Sequence, residues 1–357
     1  MGHSTNVAKK PRESGIELYR IITMLVIVAH HYVLNSGVFS LADGDGFTAR
    51  ALFYFVFGMW GKTGINCFVM ITGYFMCTSS ITWRKFLKLV LEVISYNVAI
   101  TAIFVVTGHA ECSWRTLLCF WPVMSVSTGF VSCYILFFLF IPFLNILVGH
   151  MTRREHLLLV ALLLFIYTVM GTIPLFTVTM NYVSWFCTLY FIASYIRLHG
   201  DETPWLSRCH WTAWALLSVV VSAASVVALV WVRVNVRPGI YPYLLVSDSN
   251  APLALLTGVC AFMMFKNLNI GYSRVINQVA MTMFGVLLIH ANSSVMRQWL
   301  WHDLLDVTGH FHSSLYWLYS IMAVVAVFGV CVLIDWVRIR IIEKPLFRYI
   351  DRWFAHS

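Results

Sequence analysis

Long apolar runs recur along this chain, at roughly 16–35, 52–77, 87–107, 130–148, 156–173, 182–198, 212–232, 251–266, 277–295 and 314–336, with short polar segments between them. A bilayer core about 30 Å thick takes about 20 apolar residues of helix. Inside lipid, every backbone N–H and C=O must be satisfied within the segment itself. The pattern therefore predicts an all-α, polytopic membrane protein with about ten transmembrane helices. Composition agrees, since 60% of residues are hydrophobic and 11% are charged, whereas soluble domains carry about a quarter charged residues. Two runs are irregular. Gly58, Gly61, Lys62 and Gly64 interrupt the second, and Asn277, Gln278 and His290 mark the ninth.

The net charge of +9 does not point to nucleic acid, because the basic residues sit in short clusters flanking apolar runs. Such clusters orient membrane helices by favouring the cytoplasmic side. With the N-terminus inside, eighteen Lys and Arg residues fall on cytoplasmic segments and five on outer ones, Lys62 being unassigned. Ten spans also return the C-terminus to the inside. The expected layout is a cytoplasmic tail over 1–14, a membrane domain over 15–336 and a cytoplasmic basic amphipathic helix over 337–357. In that last piece Arg340, Lys344, Arg348 and Arg352 recur every four residues and form one stripe.

The first run is too long for the apolar region of a signal peptide and is read as a retained span. Of nine cysteines, Cys67, Cys77, Cys133, Cys187, Cys260 and Cys331 lie in apolar runs, where a thiol acts as a small hydrophobe. Cys112 and Cys119 share a more polar connection that would permit a disulfide. No His, Cys, Asp or Glu group has metal-ligand spacing, so no metal is expected.

The first run, "ELYRIITMLVIVAHHYVLNSG", carries the chemistry. Ten residues separate Arg20 from His31, so the two differ by three turns plus about 20° and stand about 16 Å apart along one helix face. Glu17 can pair with Arg20 from three residues away, and Asn35 continues the stripe outward. His30 lies about 80° to the other side of Arg20. A membrane histidine is either a hydrogen-bonded strut between helices or part of a site or pathway. The strut reading is favoured for His30. Both readings stand for His31, with the aligned arginine favouring a site.

These residues resemble the opening helix of the acyltransferase-3 membrane proteins, whose hallmark is a basic residue, ten intervening residues and a histidine. "GINCFVMITGYFM" resembles that family's second-helix signature. "FVSCYILFFLFIPFLN" resembles its fourth helix, with Tyr134, Pro142 and Asn145 in place. "FGVLLIH", ending in His290, resembles its late helix, and "IEKPL", with Glu343, its closing Glu-x-Pro. The likeness spans nearly the whole chain. It departs at "WRKFLK", where Lys85 and Lys88, beside Arg84, stand in for an Arg-x-x-Arg pair. It departs again at Gly129, where many relatives have tryptophan.

The resemblance implies transfer of an acyl group, usually acetyl, from cytoplasmic acyl-CoA to a hydroxyl of a cell-surface or lipid-linked glycan, in a bacterial cytoplasmic membrane. A sugar hydroxyl is a poor nucleophile, and imidazole is the natural base near neutral pH. On this reading acetyl-CoA, as donor substrate, places its phosphates near Arg84, Lys85 and Lys88, with Glu343 orienting a cation or the CoA head. The thioester passes Arg20 along a shared tunnel. His31 acts as base or transient acyl carrier, and His290, Tyr134 and Asn35 are candidate acceptor contacts. Loops near 36–50, 108–129, 233–249 and 296–313 would form the outer mouth, with Trp299 and Trp301 as interfacial anchors. The alternative class is a glycolipid or polysaccharide exporter that transfers no acyl group.

Overall fold

The computed structural model describes residues 13–114, 118, 120–123, 129–173 and 175–356, with side chains given through residue 352. No strand occurs among them, as the apolar periodicity predicts. In chain order the principal helices are α1 (Ser14–Asn35), α2 (Val38–Gly44), α3 (Ala49–Gly58), α4 (Gly61–Met76) and α5 (Trp83–Val106). They are followed by α6 (Phe130–His150), α7 (Arg153–Leu164), α8 (Tyr182–His199), α9 (Pro204–Arg208), α10 (Trp211–Asn235) and α11 (Pro252–Lys266). The last are α12 (Arg274–Ala280), α13 (Met283–His290), α14 (Ser294–Gln298), α15 (Tyr316–Arg338) and α16 (Lys344–His356). Polar side chains start several of them. Thr82 caps α5, Asn181 caps α8, and Thr152 with Glu155 forms a capping box on α7, each satisfying N–H groups left without helical partners.

A helical segment lies at each of the ten expected places, but among the described residues five helices are long and apolar enough to cross a membrane. The count is six when α12–α13 and α14, with the wide turn that follows it, are taken as one span bent by 94°. By length and composition, this count does not confirm the ten expected spans. The second run breaks at Met59–Trp60 between α3 and α4, the fifth widens into a π-helical turn over Phe165–Met170, and α11 has only 15 residues. Apolar content set the expectation, whereas helix breaks and length decide what can span.

Helix α1 is central, packing against α3, α4, α11, α12, α13 and α15. Lipid offers no hydrophobic drive between helices, so close approach through small residues takes its place. The glycines of the second run serve this contact. A Cβ at Gly58 would lie 2.7 Å from Val33, one at Gly64 would lie 2.6 Å from Ile27, and one at Gly61 would fall on the His30 ring. Beyond α15 the chain runs through a π-helical turn, Ile339–Glu343, directly into α16. There Phe347 is buried and Arg84 pairs with Asp351 at 2.8 Å, docking α16 against the start of α5. The expected interval of four basic residues therefore begins inside one continuous helical rod.

Cys67, Cys77, Cys187, Cys209, Cys260 and Cys331 are free thiols. The Cys112–Cys119 pairing and the residues of the N-terminal tail before Glu13 lie outside the described residues.

Candidate active site

Helix periodicity puts Arg20, Met24, Ile27 and His31 on one stripe of α1, and each of the four lines a cavity. Glu17 pairs with Arg20 at 3.2 Å, as the spacing predicts. His31, Met24 and Ile27 face a 680 Å³ cavity, within the range of about 300–1,000 Å³ common for ligand sites. Arg20 faces a second cavity of 210 Å³, with Lys85, Lys88, Glu92, Thr72 and Tyr134.

The expected shared tunnel is thus two cavities, and Phe68 of α4 belongs to the walls of both. Phe68 is buried and stands edge-on to Phe130 and Tyr134, while its ring stacks on Phe284 at 6.4 Å. Phe130 lines the His31 cavity, whereas Tyr134 and Phe284 line the Arg20 cavity. The sequence signalled Phe68 only as one aromatic in a Phe-rich signature.

The hydrogen bonds of His31 fix its chemistry. His290 is fully buried, and its Nδ1 lies 2.6 Å from the Val286 carbonyl. A carbonyl only accepts, so His290 Nδ1 carries the hydrogen and, in the neutral ring, Nε2 is a bare acceptor. His31 Nδ1 lies 2.9 Å from that Nε2 and donates to it. The tautomer of His31 follows, because its hydrogen sits on Nδ1 and its Nε2 lone pair is left for the cavity. His30, by contrast, donates through Nδ1 to the Gly58 carbonyl at 2.6 Å, tying α1 to α3 as a strut.

The sharpest bend of the fold opens on the same cavity. Ala291, Asn292, Ser293 and Ser294, at the break between α13 and α14, all line it. Irregular backbone at membrane depth is tolerated where it lines a cavity or is buried in protein. Trp121, Pro122, Gly129 and Arg297 complete the wall from two of the four expected mouth loops. The other two loops pair with each other, through Arg233 and Asp43 at 2.6 Å and through Phe39 on Tyr243.

The remaining candidates separate. Tyr134 lines the smaller cavity and shares a 2.8 Å hydrogen bond with Thr72, so it lies on the Arg20 side. Asn35 lies outside both linings, and its carbonyl accepts from His302 at 3.2 Å. His290 lines neither cavity and reaches the site only through His31. Arg84 is turned to Asp351 and away from the cavity. Lys85 is held by Ser79 and the Ser80 carbonyl, whereas Lys88 pairs with Glu343 at 2.7 Å. Trp301 is fully buried against Tyr32 and is core rather than an interfacial anchor. Its π-helical turn, Trp299–Leu304, folds the ring inward.

A buried ion cluster beside the smaller cavity went unread in the sequence. Arg338 contacts Glu92 at 2.9 Å, Asp335 at 2.7 Å and Glu343 at 3.1 Å, and Tyr96 donates to Asp335 at 2.6 Å. The available signal was Glu92 and Asp335 inside otherwise apolar helices, where ionisable residues are costly and seldom idle. A Cβ at Gly285 would collide with the Asp335 carboxylate, so glycine admits α15 to this contact. Among the described residues no group of three or more His, Cys, Asp or Glu side chains could hold a metal.

Comparison with curated proteins and with solved structures yields no match. A family model described as an acyltransferase domain matches residues 13–336, which contain the α1 stripe, both cavities and His290. The multi-pass helical architecture and this match over nearly the whole chain agree: the chain belongs to the acyltransferase-3 family and is a membrane acyltransferase.

Proposed function

We propose that the protein moves an acetyl or similar short acyl group from cytoplasmic acyl-CoA to a hydroxyl of a cell-surface or lipid-linked glycan, with His31 as general base. The observation that carries this reading is the His31–His290 pair, which leaves one imidazole lone pair facing a large cavity on the stripe that begins with Arg20. On the orientation given by the basic residues, the smaller cavity faces the cytoplasm. There Arg20, Lys85 and Lys88 offer charge to the donor's phosphates, lysine acting as a point charge rather than a fork. The larger cavity receives the acceptor from outside.

In the reaction His31 Nε2 takes the proton of the acceptor hydroxyl as the oxygen attacks the thioester carbonyl carbon. The tetrahedral intermediate collapses, the C–S bond breaks, and the imidazolium returns the proton to the departing thiolate. His290 holds the His31 tautomer and shares the transient charge. The same lone pair would be the nucleophile in a carrier mechanism, which would leave label on the protein when labelled acetyl-CoA is supplied without acceptor. For either step the thioester must pass Phe68, so displacement of that ring accompanies turnover.

Purified protein given labelled acetyl-CoA and a panel of free and lipid-linked glycans tests the reading. Transfer should fall about 10²- to 10⁴-fold in His31→Ala and His31→Asn at equal abundance. Near-normal turnover in either variant removes His31 from the chemistry. Glycan movement across vesicles with no consumption of acetyl-CoA would instead identify an exporter.

A further inference from the structure

Lys62 and Arg297 stand in the wall of the His31 cavity, and no Asp or Glu occurs among the described residues that line it. Both are partly buried, and among the described residues neither has a carboxylate partner. Four other partly buried arginines, Arg20, Arg50, Arg197 and Arg233, each lie within 3.7 Å of one. Lys62 has only the Tyr182 phenol, with Nζ 2.5 Å from the hydroxyl and 5.3 Å from the ring centre. An uncompensated charge away from bulk water is costly. The orientation bias does not account for either, since Arg297 falls on an expected outer segment and Lys62 lies within the second run rather than in a flanking cluster. Asn97, Ser132, Asn292, Ser293 and Ser294 of the same wall carry no charge.

We infer that the acceptor is anionic, and that Lys62 and Arg297 bind its carboxylate or phosphate and so place a neighbouring hydroxyl at His31. This rests on the acyltransferase reading of the same cavity. Arg297 supplies the planar fork that matches either anion, and Lys62 supplies a point charge. A carboxylate would belong to an acidic sugar of the glycan. A phosphate would belong to the link between a saccharide and its lipid carrier. Tyr182 keeps the ammonium in place when the site is empty, through a contact that an anion can share.

The test uses the full chain in detergent and three acceptors matched in size: a neutral oligosaccharide, its uronic-acid counterpart, and the neutral oligosaccharide on a lipid phosphate. Wild type should prefer at least one charged acceptor about tenfold or more in kcat/KM, and added salt should erode the preference. The arm that wins names the source of the charge. Lys62→Met and Arg297→Met should each lower the charged-to-neutral ratio about tenfold, and Lys62→Arg should retain it. Equal use of all three acceptors overturns the inference. So does a loss in the Met variants that falls equally on the neutral acceptor, or that appears as a raised KM for acetyl-CoA. Direct binding of the three saccharides to His31→Ala protein separates the two ideas. Charge-selective binding that needs Lys62 and Arg297, in a protein whose wild type transfers nothing, sinks the acyltransferase reading and leaves the anion site standing. Transfer without charge-selective binding does the reverse.

Discussion

His31 Nδ1 and His290 Nε2 meet at 2.9 Å, from helices 259 residues apart in the chain. That contact, with the Val286 carbonyl behind it, turns a lone membrane imidazole into one with a defined free nitrogen. On the proposed mechanism His290 is a positioning residue, acting on the reaction through His31.

Replacing His290 should accordingly depend on what replaces it. His290→Leu removes the acceptor for His31 Nδ1–H, and the ring can adopt the unproductive tautomer. Turnover should fall about 10²- to 10⁴-fold with the KM for acetyl-CoA little changed. His290→Gln can present a carbonyl oxygen near the position of Nε2 and should recover part of the rate. Steady-state kinetics at equal membrane abundance check this, and equal losses in both variants would assign His290 to packing alone.

Phe68 separates the two cavities, and its removal should leak. Phe68→Leu keeps bulk in the core but takes away the ring that stacks on Phe284. Acetyl-CoA hydrolysis in the absence of acceptor should rise several-fold as water gains access to the thioester. Release of free CoA thiol measures it. A rate no higher than that of wild type would mean that the partition lies elsewhere.

The Arg338 cluster makes a prediction about stability. Arg338→Met strands Glu92 and Asp335 without their shared cation, while Glu343 keeps Lys88, and breaking a buried pair in this way costs about 3–5 kcal/mol. The thermal midpoint in detergent should drop sharply. Adding Glu92→Gln to that background removes one stranded charge and should restore part of the loss. If the double variant is no better than the single one, charge is not the cause.

Two glycines give a paired test of packing. Gly285→Ala drives a methyl into the Asp335 carboxylate and should destabilise by about 1–3 kcal/mol. Gly149→Ala, in α6 with nothing within 4 Å of the new methyl, should be neutral or stabilise by about 0.5–1 kcal/mol. Thermal unfolding of the two variants side by side reads both, and equal effects would contradict the close approach of α13 and α15.

The amino-acid sequence by itself determined the helical class, a helical segment in each of the ten apolar runs and the stripe of α1. Those depend on apolar run length and on a period of about 3.6 residues, both of which are local. It also carried the family likeness, because the motifs are short and ordered along the chain. It did not reveal that Gly58 and Gly64 admit α1, that Trp301 turns inward, or that the ninth run bends by 94° near Asn292 and Ser293. Nor did it reveal that Phe68 lines both the Arg20 and the His31 cavity, that Glu92, Asp335 and Arg338 share one site, or that His290 hydrogen-bonds His31. Each of these is a contact between helices far apart in the chain. Such contacts depend on depth, crossing angle and side-chain bulk across an interface, and periodicity within one helix carries none of that information. Tertiary packing alone decided which polar side chains meet.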